Sequence, residues 1–318
     1  MKFIIYPLIL FLTGCATSAP YVLETDSLDR STLPVADINV SIPHLSSCTD
    51  SADKSIAIDL DSPITVLVHG CNGSAGRFRS LAQLYAFHGQ QAVCYSYDDR
   101  KSLIGSADKL AKAVKELSEV TNNQKISIIG HSMGGLIARK AVEESDKNST
   151  VLSDTNLDLI TISAPLSGIK AADHCGIAPL HWLSLGVVPG ICWLITGDNW
   201  NEIPFSSDFI VNPKPLLPSI DRYLKIVTNE KNTCRLKDKD GVCIESDDIF
   251  GLSEQYHPKI DNYSNVTGVQ VDAGHVGIVG DKNTVPRQLL SILQQYDMLS
   301  STQPGQLEAF EKLLAELY

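Results

Sequence analysis

Ile126-Ser127-Ile128-Ile129-Gly130-His131-Ser132-Met133-Gly134-Gly135 is the stretch that decides the fold. A β-branched apolar run stops at Gly130, and a helical pattern over residues 133–142 starts at Met133. A strand therefore passes into a helix through one tight turn with Ser132 at its tip. Such a turn forces its central residue into a strained backbone, and glycine on either side removes the Cβ atoms that would crowd it. Gly135 lets the helix lie close to the strand it follows.

Working outward, Ile64-Thr65-Val66-Leu67-Val68 and residues 93–97, 157–162, 224–227 and 266–271 are runs of the same kind. They have the continuous apolar character of strands buried on both faces. Leu103, Ala107, Leu110, Val114 and Leu117 recur at spacings of four and three, one face of a helix with Ser106 as its expected cap. Residues 286–299 also read as a helix, and Leu307, Phe310, Leu314 and Leu317 form a stripe that a C-terminal helix would pack on the body. Strands alternating with helices predict right-handed βαβ crossovers and a mostly parallel sheet. Short extended pieces at residues 38–42 and 55–58 are expected edge strands. Residues 165 to about 222 break the alternation and hold Trp182, Trp193 and Trp200, the three tryptophans of the chain. A connection of that length is usually functional, and a lid over a site is the expectation.

The chain has 318 residues, 43% hydrophobic and 20% charged, enough to bury a sizeable core. Lys and Arg number 26 against 37 acidic residues, a net charge of −11 with no basic cluster, which argues against nucleic-acid binding. Lys2 precedes an apolar run over residues 3–12, too short for the roughly 20 residues a membrane span needs but suited to a signal peptide. The run ends Leu12-Thr13-Gly14-Cys15, which resembles the bacterial lipobox. That resemblance implies a signal peptide over residues 1–14, a diacylglyceryl group on Cys15, and anchoring to a membrane rather than spanning it. Ala16 follows, not the Asp that retains many such lipoproteins at the inner membrane, so the outer membrane is the expected address.

Seven cysteines follow Cys15: 48, 71, 94, 175, 192, 234 and 243. No Cys-x-x-Cys occurs and no Cys/His spacing suits zinc, so no metal site is predicted. In an oxidising compartment disulfides are the natural reading. Cys234 with Cys243 and Cys175 with Cys192 are the local pairs, and Cys94 has Cys48 or Cys71 as partner. An odd count leaves one thiol over.

His69-Gly70-Cys71-Asn72-Gly73, followed by Gly130-His131-Ser132-Met133-Gly134-Gly135, resembles the α/β-hydrolase superfamily in its lipase and esterase branch. Ser163-Ala164-Pro165-Leu166-Ser167-Gly168 resembles the small-residue and proline loop after the next strand in many lipases. The resemblance covers roughly residues 64–299. It implies an α/β-hydrolase fold, a mostly parallel central sheet flanked by helices with a lid or cap insertion at about 165–222. The domain would occupy residues 56–318, with residues 15–55 a lipid-anchored tether carrying the possible edge strands. It also implies that Ser132 is a nucleophile and that the backbone N–H groups of Cys71 and Met133 form an oxyanion hole, with His69 and His131 as structural neighbours.

In this superfamily the acid and then the histidine follow the serine in the chain. Of eight histidines only His257 and His275 lie past the elbow and the lid, and His275 follows a strand in a short glycine-containing loop. His275 is therefore the expected base. The acid is expected after the strand at 224–227, where Lys239-Asp240-Gly241-Val242 resembles the surroundings of the acid in many lipases. Asp240 is the choice, with Asp238, Asp247 and Asp248 as rivals. A Cys234–Cys243 bridge would pin that loop.

The implied chemistry is cleavage of a carboxylic ester, lipid-like in its acyl part, through an acyl-enzyme. It needs no cofactor and no metal. A histidine base of ordinary pKa, about 6.5, predicts activity falling below roughly pH 6. Acyl transfer and thioester cleavage use the same groups. A non-catalytic envelope lipoprotein that reuses the fold for binding is the reading from a different class.

Overall fold

The computed structural model describes residues 24–122, 124–172, 197–199 and 201–318. Its strands are β1 (Ile38–Val40), β2 (Leu45–Ser46), β3 (Ile56–Ile58), β4 (Ile64–Val68), β5 (Gln91–Tyr95), β6 (Ile126–His131), β7 (Leu157–Ile162), β8 (Ile220–Asn229), β9 (Cys234–Lys237), β10 (Cys243–Ser246) and β11 (Val266–Asp272). Seven of them form one sheet in the order β11-β8-β7-β6-β4-β5-β2. Only β2 runs antiparallel, against β5; the other neighbours are parallel. The six apolar runs read from the sequence all fall on strands of this sheet, although β5 ends at Tyr95, two residues short of the run read over 93–97. The two N-terminal pieces differ in place: β1 and β3 pair with each other as a separate antiparallel ribbon.

Both faces of the sheet are covered, which is why its strands lack a polar face. On one side Ile64, Val66, Val68, Ile126, Ile128 and Leu157 pack under α2 (Leu103–Val120) and α3 (Met133–Ala141). On the other, Leu67, Ile129, Ile160 and Leu224 meet α1 (Arg79–Phe87) and the helices Arg287–Gln295 and Leu307–Leu317. Truncating a residue such as Ile128 to Ala in a core of this kind costs about 2–5 kcal/mol.

The cap of α2 is a correction. Ser102, not Ser106, supplies the hydroxyl, accepting the Gly105 N–H at 3.1 Å. Ser106 is one turn in and buried, and its carbonyl accepts the Tyr95 hydroxyl at 2.7 Å. The start of α2 is also held by Glu202, whose carboxylate accepts the Ser102 hydroxyl at 2.7 Å and the Leu103 N–H at 2.5 Å.

Cys48 bonds to Cys94, and Cys234 to Cys243. Cys71 is disulfide-bonded as well, so it is not a spare thiol. The expected Cys175–Cys192 pair, Cys15 with its signal segment, and the three tryptophans of the expected lid lie outside the described residues.

The strand order places the site. Because β4 is flanked by β5 and β6, the loops leaving the carboxyl ends of β4 and β6 are neighbours, with Val68 opposite Gly130. The chain ends of β7, β8 and β11 follow along the same edge, where Asp272 stands opposite Asn229. Open α/β sheets build their sites at such an edge.

Candidate active site

Ser132 sits between β6 and α3 with φ 56° and ψ −128°, a backbone conformation that residues with a Cβ avoid. Its N–H is tied to the Ile162 carbonyl at 2.8 Å and its carbonyl to the Gly135 N–H at 2.9 Å. The glycines around it answer to close approach. A Cβ on Gly134 would overlap the carbonyls of Val68 and His69, and one on Gly135 would stand 2.6 Å from the Ala164 Cβ. Met133 opens α3, so its N–H is one of the first-turn donors that a helix cannot satisfy internally.

His275 comes three residues after β11, and its Nε2 lies 3.0 Å from the Ser132 Oγ. Its other ring nitrogen, Nδ1, lies 2.9 Å from the Glu230 Oε1. Ser132, His275 and Glu230 thus form one chain of hydrogen bonds, 5%, 7% and 1% exposed respectively. With Nδ1–H donating to the carboxylate, the Nε2 lone pair faces the serine hydroxyl.

Glu230 replaces Asp240 as the carboxylate at the histidine. It is the first residue after β8, at the sheet edge, whereas Asp240 stands exposed at the tip of the hairpin β9–β10. There the Asp240 N–H bonds to the Asp238 carboxylate at 2.9 Å and Gly241 takes a φ of 80°. Lys239-Asp240-Gly241 is turn chemistry. Of the rivals, Asp238 serves that turn and Asp248 is exposed, accepting the Asn232 N–H at 3.3 Å. Asp247 is buried beside the His275 main chain.

The Glu230 carboxylate is densely solvated by protein. Besides His275, Oε1 accepts the Ser163 hydroxyl at 2.5 Å and has the Thr228 hydroxyl at 2.8 Å. Oε2 accepts the N–H groups of Ile249 and Phe250 at 2.8 and 2.7 Å. Burial pushes its pKa up, but bonds from His275 and Ser163, the imidazolium charge and the Phe250 N–H outweigh that. The net position is below the ordinary carboxylate value, so Glu230 stays an anion. Ser163, with φ 48° at the end of β7, also lies 2.9 Å from the His275 Nδ1. It opens the small-residue loop singled out in the sequence, and only the fold reveals that its hydroxyl belongs to the site.

His131 and His69 lie beside this chain of hydrogen bonds and outside it. The His131 Nε2 is 2.8 Å from the His275 carbonyl, and since a carbonyl only accepts, that nitrogen carries the proton. Burial first, then the charge of His275, holds its pKa well below 6.5, so it is neutral. His69 is likewise held neutral by burial and stacks on Tyr97 at 4.3 Å, whose hydroxyl donates to the His69 carbonyl at 2.6 Å. These contacts fix the loop that carries Cys71 beside Ser132, where a Cβ on Gly70 would stand 2.9 Å from the Ser132 Cβ. His257 lies elsewhere, its Nε2 bonded to the Ile210 carbonyl at 3.1 Å.

A mostly parallel sheet with helices on both faces and a serine on a strained turn at its carboxyl edge defines an α/β-hydrolase. The chain belongs to the palmitoyl protein thioesterase family, whose model matches residues 64–231, from β4 through Glu230 and more than half of the chain. The fold is similar to that of a lipase from Bacillus licheniformis, BlEst2. In its mature form the identity is 16% and the TM-score 0.51, covering 75% of this chain and 93% of that one. In its propeptide form the identity is 16% and the TM-score 0.53, covering 77% of this chain and 52% of that one. At that identity the likeness concerns the fold. Among curated proteins none matches the sequence.

Proposed function

We propose that the protein is a serine hydrolase that cleaves lipid-like acyl esters, with Ser132 as nucleophile, His275 as general base and Glu230 as the orienting acid. The observation that carries this is the unbroken run from the Ser132 Oγ to the His275 Nε2 at 3.0 Å and from Nδ1 to Glu230 at 2.9 Å. His275 takes the hydroxyl proton as the Ser132 Oγ attacks the acyl carbon. The N–H groups of Met133 and Cys71 receive the oxyanion, at the positive end of α3. The imidazolium, held by ionised Glu230, then protonates the leaving group, and water attacks the acyl-enzyme by the same route in reverse.

The family match favours a second leaving group, a thiol, since a thioester would be cleaved by the same steps. The sequence Leu12-Thr13-Gly14-Cys15 supports a lipid anchor that would keep the enzyme at a membrane, the outer one in our reading, beside acylated substrates. A Cys15→Ser protein moving from the detergent to the aqueous phase in a detergent partition would support the anchor, and unchanged partition would remove it.

The test of function is turnover of p-nitrophenyl esters of increasing chain length and of a matched acyl thioester, with and without detergent micelles. Wild type should hydrolyse them and Ser132→Ala should lose about a million-fold in kcat. Equal turnover by both proteins, or none by the wild type in either medium, would overturn the proposal.

A further inference from the structure

Three consecutive main-chain N–H groups of the histidine loop end on a single residue. Asp247 accepts the His275 N–H on its backbone carbonyl at 2.9 Å, the Val276 N–H on Oδ1 at 2.9 Å and the Gly277 N–H on Oδ2 at 2.8 Å. Asp247 is 3% exposed, and its side chain fits the loop so closely that a Cβ on Gly274 would overlap the carboxylate. Gly277 is nearly as tight, 3.2 Å from Oδ2 for an added Cβ. The glycines that bracket His275 therefore make room for this carboxylate.

Asp247 is also bound to the segment that carries Glu230. The hairpin β9–β10 separates the two acids in sequence, is cross-linked by Cys234–Cys243, and is closed at its base by the Asp247 N–H on the Thr233 carbonyl at 3.2 Å. Three residues further, Phe250 donates its N–H to Glu230 and meets the His275 ring edge-on at 4.8 Å. One short segment thus touches the ring, the ring's acid and the ring's backbone.

We propose that Asp247 is a positioning residue for His275: Glu230 orients the imidazole through its N–H, and Asp247 fixes the main chain from which the imidazole projects. This rests on the reading of Ser132, His275 and Glu230 as a triad. Burial raises the Asp247 carboxyl pKa, although the Val276 and Gly277 N–H groups and His275 pull it down. An acid whose pKa is higher folded than unfolded loses stability as pH rises through that range, so its charge opposes folding at neutral pH.

The experiment uses the full chain in detergent, with active sites counted by complete fluorophosphonate labelling, and compares wild type, Asp247→Asn, Asp247→Ala and the exposed neighbour Asp248→Asn. Asp247→Ala should lose about 100-fold in kcat per labelled site with KM within about two-fold, the scale of a 1 Å misplacement. Asp247→Asn, whose carboxamide oxygen still accepts one N–H, should recover about ten-fold of that loss. It should melt within about 4 °C of wild type. Asp248→Asn should match wild type. If kcat per labelled site is unchanged in Asp247→Asn, or in Asp247→Ala where that folds, and only the number of sites or the melting temperature falls, Asp247 is merely structural and the inference is wrong. A wild type that neither labels nor turns over would instead remove the triad itself, and this inference with it.

Discussion

The elbow around Ser132 and the segment from Thr228 to Phe250 both supply groups to one histidine, yet they are built on opposite plans. In the elbow every residue that answers the requirements is local, even though the neighbours that press on the glycines are not. The strained Ser132, the missing Cβ atoms at Gly130, Gly134 and Gly135, and the helix that starts at Met133 all lie within six residues. In the second segment the parts are scattered. Glu230 follows one strand, Asp247 follows a cross-linked hairpin, Phe250 comes later still, and Ser163 joins them from the end of another strand. A local device is recognisable from composition and order, while a distributed one exists only once the chain has folded.

The largest effect is expected at Glu230. Glu230→Gln should lower kcat by about ten-thousand-fold while the fold persists, since the amide favours the wrong tautomer of His275. A loss no larger than that of Asp240→Asn would return the acid to the hairpin.

Gly134→Ala attacks the elbow instead. Its Cβ would meet two backbone carbonyls, which cannot rotate away, so it should destabilise by about 3 kcal/mol, read as a lower denaturation midpoint. The hairpin tip has no such constraint.

A smaller effect follows from the buried neutral imidazoles. Burial depresses the pKa of His69, His88, His131 and His257. Below about 6.5 the unfolded chain takes up protons that the folded one refuses, so the stability these groups lend is present above that pH and lost below it. Glu230, with its pKa lowered, adds a further loss in stronger acid as pH falls through its folded value. Melting temperature should therefore drop between pH 7.5 and pH 5, and His131→Gln should flatten part of that slope. The smallest effect expected is that of Asp240→Asn, within about 0.5 kcal/mol in stability and with unchanged turnover, because its side chain faces solvent.

Much of this was legible in the sequence. The six parallel strands, the elbow and the histidine loop announce themselves through unbroken apolar runs and glycines at fixed offsets. The acid is expected somewhere after the fifth apolar run and is assigned there to Asp240, whereas the carboxylate that meets His275 is Glu230, three residues past Val227. A Glu in Thr228-Asn229-Glu230 has no surrounding pattern, while Asp240-Gly241 does, and that pattern belongs to the turn. Likewise Ser102 and Ser106 both suit a cap by composition, and only Glu202, about a hundred residues away, marks where the helix begins. Asp247 carries no local signal, since its partners are backbone N–H groups thirty residues downstream.

Whether His275 activates Ser132 is read by reacting the full chain with a fluorophosphonate and mapping the adduct by mass spectrometry, beside His275→Ala. A single adduct on Ser132 should form rapidly in wild type and be lost in His275→Ala. An adduct on another residue, or equal labelling of Ser132 in both proteins, would contradict it.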